Sequence, residues 1–248
     1  MKKFTFNHLI IIILLFISLV FFTLQMFIFH NLHESGFLFF QDLIFMPIEI
    51  LLVTFILDKI LRDREKKERL QHQNIVINSF FSEIGTDTIR LLNKDIINLK
   101  ELSILLCMNQ DWNNAKFDNT LKVLNSFSYQ FNITHDSLNA IKSSLSKNKA
   151  YILSFFSNPN LLEIDSFTNM LWALYHLIDE LEHRTNICEL PDSDIEHLKN
   201  DIIRIYGMLI CLWVIYMKNL KVKYPYLWSL ALRINPFSEN NDVIIKQR

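Results

Sequence analysis

Glycine is nearly missing from this sequence. Its 248 residues contain three, Gly36, Gly85 and Gly207, far from one another. Phosphate-cradling loops and dinucleotide fingerprints need clustered glycines so that backbone can approach a phosphate, and the scarcity excludes both. Cysteine is as scarce. Cys107, Cys188 and Cys211 form no CxxC pair, so neither a zinc site nor a redox dithiol is suggested, and they read as small apolar residues in a reducing compartment. Charge of one sign is missing too. A formal net charge of −1 gives no global basic field, so nucleic acid is not expected as a partner.

Apolar bulk is what the chain has. Half of its residues are hydrophobic and 21 are Phe, with the excess concentrated in the first sixty positions. The five prolines stand where helices start, stop or bend, and strand-like alternation between them is rare. The expected fold class is all-α: an N-terminal two-helix transmembrane hairpin followed by a cytoplasmic helical bundle.

Residues 9–29 carry no charge and are long enough to cross a hydrocarbon core of ~30 Å at ~1.5 Å per residue. The opening Met1-Lys2-Lys3 resembles a secretory signal. The apolar stretch exceeds the usual length, however, and His30-Asn31-Leu32-His33-Glu34 offers no small-residue cleavage site. A retained helix is expected. Residues 37–57 form a second span, with Asp42, Pro47 and Glu49 inside it. The short connection makes the two spans antiparallel neighbours. Lys2 and Lys3 precede the first span, none falls in the connection, and Lys59, Arg62, Arg64, Lys66, Lys67 and Arg69 follow the second. The positive-inside bias then predicts a multi-pass inner-membrane protein with both termini cytoplasmic. The expected domains are the hairpin (1–58), a charged juxtamembrane helix (59–70), a cytoplasmic helical domain (71–237) and a tail (238–248).

Residues 205–217 form a third apolar run, bounded by Arg204 and Lys218. It is too short to span, and is expected as a core helix. Ile77, Phe80, Phe81, Ile84, Thr88 and Leu91 make one stripe at helical spacing, and Phe167, Met170, Leu171, Leu174, Ile178 and Leu181 another. Breaks are expected at Asn113-Asn114, Asn158-Pro159-Asn160 and Leu190-Pro191-Asp192. Ser193 with Glu196 predicts a capping box for the last long helix, and Tyr224-Pro225 opens a short final helix that ends at Asn235-Pro236.

The stretches Phe80-Phe81-Ser82-Glu83-Ile84-Gly85-Thr86, Leu171-Trp172-Ala173-Leu174-Tyr175-His176-Leu177 and Tyr224-Pro225-Tyr226-Leu227-Trp228-Ser229-Leu230-Ala231-Leu232-Arg233-Ile234-Asn235-Pro236-Phe237 resemble a family of prokaryotic two-span membrane proteins with a cytoplasmic helical domain. The resemblance implies the architecture and carries over no catalytic residue.

Three sets of polar residues are candidates for chemistry. Trp172, His176, Glu180 and His183 share a helix face away from the apolar stripe, which suits contact with a partner or ligand. Glu180-x-x-His183 has the spacing of di-iron carboxylate bundles, but such a site needs a second motif, and the acids of Asp194-Ile195-Glu196-His197 are accounted for by capping. No metal or cofactor is expected. Glu83, Asp87, Arg90 and Lys94 read as a solvated face with local ion pairs. Glu49, Asp42 and Ser18 are intramembrane polar groups; Glu49 and Asp42 share a face, and Ser18 lies at the depth of Glu49. The leading expectation is a membrane-tethered interaction or sensory module that contacts the lipid bilayer and a protein or small ligand. The alternatives are an oligomeric two-span channel or membrane-perturbing effector, in which Glu49 lines a path, and a membrane-bound metalloprotein or enzyme.

Overall fold

Apolar residues at helical spacing need a partner surface, and the two halves of this chain meet that need differently. The computed structural model describes residues 16–24, 27–28, 32–158 and 165–238. The expectations for Lys2 and Lys3, for residues 9–15, 25–26 and 29 of the first span, for His30-Asn31, for Pro159-Asn160 and for the tail beyond residue 238 lie outside the described residues. Every helix or strand among the described residues is a helix, apart from an isolated bridge between Ile96 and Phe131. The chain divides into two units, Met1–Lys66 and Lys67–Arg248. The division falls within the stretch expected to be a charged juxtamembrane helix.

In the first unit, residues 16–24 and 27–28 are helical, and helix α1 (Leu32–Phe80) runs for 49 residues across the division. The expected second span and the charged stretch are therefore one continuous helix, and it begins five residues before Phe37. Pro47 sits inside it, so the carbonyl of residue 43 lacks its helical donor. From Phe37 to Leu57 its apolar side chains are exposed on every side: Phe37, Phe40, Ile44, Ile48, Leu52, Phe55 and Leu57 are each more than half open. The charged side chains from Asp58 to Glu68 are exposed as well.

The second unit is built around α8 (Asp192–Lys223, 32 residues). Before it come a π-helical turn (Phe81–Gly85), α2 (Thr86–Leu92), α3 (Leu99–Leu106), α4 (Asn114–Leu124), α5 (His135–Lys147), α6 (Lys149–Phe156) and α7 (Asp165–His183); after it comes α9 (Pro225–Arg233). By length and composition α8 is apolar enough to cross a membrane. Its apolar side chains are nevertheless covered by protein. Ile205, Tyr206, Leu209, Ile210, Trp213, Val214 and Met217 are all buried, against α7, α4, α9, α2 and the π turn. The short apolar run is a core helix, as its length predicts.

Asp192 and Asp194 in the first turn of α8 and Lys221 and Lys223 in its last suit the helix dipole, and Pro225 starts α9 at the position where its missing N–H costs nothing. The expected capping box does not form. The cap is Pro191, whose carbonyl accepts from Asp194 and Ile195. Pro191 holds φ at −69°, and the helix starts at Asp192, so Ser193 is already inside it. The break expected at Asn113-Asn114 is the start of α4, and the Asn113 side chain caps it by accepting from Lys116 N at 2.9 Å.

The stripe from Ile77 is interrupted by the π turn. Thr86 donates both its amide and its hydroxyl to Phe81 O, the hydroxyl at 2.7 Å. A Cβ on Gly85 would stand 2.6 Å from Phe81 Cδ1 and 2.7 Å from Phe80 Cε1. Glycine therefore lets two adjacent Phe rings close over the backbone, at an angle of 87° to each other. The extra residue advances the buried face: Ile89 and Leu92 are covered, while Leu91 is only half-buried. The second stripe is buried throughout, from Phe167 to Leu181.

Candidate functional site

Two features of the second unit combine polar groups with enclosure. The first is a groove of about 500 Å³ along one flank of α8, facing the end of α4, the loop after it and the start of α7. Phe127, Met208, Leu212 and Ile215 give it an apolar wall, and Asn125, Asn169 and Arg204 contribute polar atoms. Gly207 supplies the floor: a Cβ there would be 3.2 Å from Tyr129 Cε2, so the missing side chain lets the Tyr129 ring pack onto α8. Tyr129 also meets the Tyr206 ring edge-on at 5.3 Å, and the Tyr206 hydroxyl donates to Asn93 Oδ1 at 2.6 Å.

Burial pushes the Tyr129 and Tyr206 hydroxyls well above the ordinary phenol range. It also raises the Cys211 thiol, which donates to Asn125 Oδ1 at 3.7 Å. At neutral pH these groups are uncharged. A thiol kept protonated is a poor nucleophile.

The second feature is a seam between α7 and α8. The Arg184 guanidinium donates to both oxygens of Asp194 and, through Nη1, to Glu180 Oε2 at 2.5 Å. Those hydrogen bonds hold the Glu180 and Asp194 carboxyls below the ordinary carboxylate range. Further along, His176 Nε2 is 3.6 Å from Asp201 Oδ2 and 3.8 Å from Glu180 Oε1, and His197 Nε2 is 3.9 Å from Asp201 Oδ2. Asp201 is buried, and among the described residues that oxygen has no hydrogen bond; Arg204 Nη2 donates to the other at 2.8 Å.

The candidate face on α7 is thus divided. His176 turns toward α8 and meets Asp201, while Glu180 pairs with Arg184. Trp172 packs on Phe156, ring centroids 4.5 Å apart, and remains 55% exposed. His183 folds back on its own helix, Nδ1 lying 2.8 Å from Asp179 O. Asp194 and Glu196 do not cap α8: Asp194 belongs to Arg184, and Glu196 pairs with Lys199 at 2.7 Å. Among the described residues no three His, Cys, Asp or Glu side chains are placed to hold a metal ion. Arg184, Asp201 and the groove residues escaped the sequence reading. The Asp201 and Arg204 pair, three apart at the edge of the apolar run, was the available signal.

In the first unit, Asp42 and Glu49 are seven residues apart on α1 and exposed, as is Ser18 on residues 16–24. Among the described residues no hydrogen bond joins Ser18 to Glu49. On the face from Glu83 to Lys94, Arg90 pairs with Asp87 at 2.5 Å and also reaches Ile234 O.

Comparison with known proteins matches residues 69–233 to a family described as "Uncharacterized protein MJ1433, C-terminal helical domain" and residues 2–61 to "MJ1433, N-terminal helical domain". The protein from Methanocaldococcus jannaschii that bears the name Uncharacterized protein MJ1433 is 40% identical over 239 residues, covering 96% of this chain and 95% of its own. No solved structure matches.

Proposed function

Since the chain belongs to the MJ1433 family, with that family's N-terminal and C-terminal helical domains in order, we propose that it is a two-span inner-membrane protein carrying a ligand-binding, sensory helical domain on the cytoplasmic side. The observation that carries this reading is the exposed apolar surface of α1 between Phe37 and Leu57. A helix apolar on all sides is stable in the core of a large protein or in lipid. Leaving such side chains in water forgoes about 1.5–3 kcal/mol for each large one. On this reading the uncharged residues 9–29, of which 16–24 and 27–28 are described, are the partner span, and the Lys and Arg flanking the two apolar segments set the orientation.

The groove beside Tyr129 and Cys211 is the ligand site on this reading. Its volume is within the range of small-molecule sites, and its lining has the usual mix of apolar wall and few polar atoms. Membrane fractionation tests the anchor: the full chain should stay in the pellet after an alkaline carbonate wash, and release into the supernatant would end this reading.

A second reading is an oligomeric channel or effector. Glu49 and Asp42 favour it, as two acids on one face of an otherwise apolar segment. Glu49 from several copies then lines an ion or proton path, with the helical domain controlling assembly.

A further inference from the structure

The groove's charge pattern narrows what fits in it. Among the residues lining it, Arg204 is the one charged side chain, and no carboxylate is present. Arg204 is more than half exposed, and among the described residues one of its guanidinium N–H groups, at Nη2, is taken, by Asp201 Oδ1. A guanidinium has five N–H donors in a fixed fork, so an edge remains for an incoming anion. Asn125 and Asn169 add neutral amides beside the apolar wall of Phe127, Met208, Leu212 and Ile215. Tyr129 and Cys211 stay protonated through burial and add no negative charge against an anion.

We propose that this groove binds a small amphipathic carboxylate, its anionic head on Arg204 and its apolar body along Gly207, Cys211 and Ile215. The proposal rests on the ligand-binding part of the function proposed above and names the chemical class. A carboxylate matches the planar guanidinium fork in a way that an alcohol or an ammonium does not. The volume accommodates a body of about ten carbon atoms.

Cys211 lines the groove and reports on its occupancy. The full chain in lipid nanodiscs is treated with iodoacetamide in the presence of naphthoate, naphthylmethanol or naphthylmethylammonium, three probes with the same apolar body. Alkylation of Cys107, Cys188 and Cys211 is followed by mass spectrometry. Naphthoate should slow Cys211 about fivefold or more and leave the exposed Cys107 and Cys188 unchanged. In Arg204→Gln the concentration needed for protection should rise about tenfold. Arg204→Lys keeps the charge toward Asp201 but not the fork, so protection should need a concentration between those of the parent and of Arg204→Gln, with Cys107 and Cys188 rates unchanged as the sign that the fold is intact. If the alcohol or the ammonium protects as well as naphthoate, the carboxylate proposal is overturned and the ligand groove stands. If no probe protects Cys211, the proposal and the groove's role both fall. The anchor is judged separately by the carbonate wash.

Discussion

The Arg184 guanidinium grips Asp194 with two parallel hydrogen bonds, Nε to Oδ2 at 2.6 Å and Nη2 to Oδ1 at 2.7 Å. This ties the end of α7 to the first turn of α8 across the intervening loop. Both side chains are largely buried, so the pair is screened less than a surface ion pair. Arg184→Ala should destabilise the domain by about 1–3 kcal/mol, the usual loss for hydrogen bonds to charged groups, measured by denaturant unfolding. The pH dependence has a definite sign. Glu180 and Asp194 have depressed pKa values when folded, so their stabilisation is present above the unfolded carboxylate pKa of about 3.9–4.3. It is lost as the pH falls through their lower folded values. Stability should therefore hold from pH 7 to 5 and fall below about pH 4. Arg184→Ala should flatten most of that fall, leaving the part due to Glu182, which Lys149 also holds down.

The loop closed by that pair shows where sequence reading stops. Periodicity located the apolar face of α7 because a helix repeats its own register, and the length of the uncharged run 205–217 placed α8 in the core. Periodicity could not distinguish an α-helix through Phe80 and Phe81 from a π turn there, since two adjacent Phe residues satisfy either face. Asp194 had a local explanation, capping, which the contact with Arg184 displaced. The groove was illegible for a further reason: Tyr129 and Gly207 meet through tertiary packing, and no local pattern links positions so far apart.

Gly85 offers a second test. Its missing Cβ leaves room for two rings, Phe80 and Phe81, both buried. Gly85→Ala should cost about 1–3 kcal/mol through overpacking, despite the better helix propensity of Ala. Gly207→Ala meets only the half-buried Tyr129 ring, at 3.2 Å rather than below 3 Å, and should stay within about 1 kcal/mol of the parent because propensity offsets the contact. Thermal unfolding of the two variants side by side checks the ranking.

The three thiols should differ in reactivity without any ligand. Cys107 and Cys188 are exposed, whereas Cys211 is half-buried with its pKa raised by burial. Iodoacetamide at pH 8 should modify Cys211 about tenfold more slowly than the other two. Equal rates would mean that the groove is far more open than the packing of Tyr129 and Asn125 allows.

Glu49 separates the two functional readings. Glu49→Gln keeps size and hydrogen bonding but removes ionisation. If the acid is structural, Gln should preserve assembly and cellular activity while Glu49→Leu disrupts assembly. If it lines a path, Gln should assemble normally and lose conduction. Burying an acid at mid-bilayer costs about 2.5–3.5 kcal/mol on insertion scales, so the Leu variant should insert at least as well as the parent in either case. Full tolerance of Leu would dismiss both roles.

The central claim is that α1 and the segment before it cross a membrane twice and leave the helical domain in the cytoplasm. Paired reporters test it most directly: alkaline phosphatase, active only when exported, and a fluorescent protein that matures in the cytoplasm. Fused at Arg248 or after Lys67, the fluorescent protein should glow and the phosphatase stay silent; inserted near Ser35, the phosphatase should be active. An active phosphatase at Arg248 would contradict the orientation and the two-span count together.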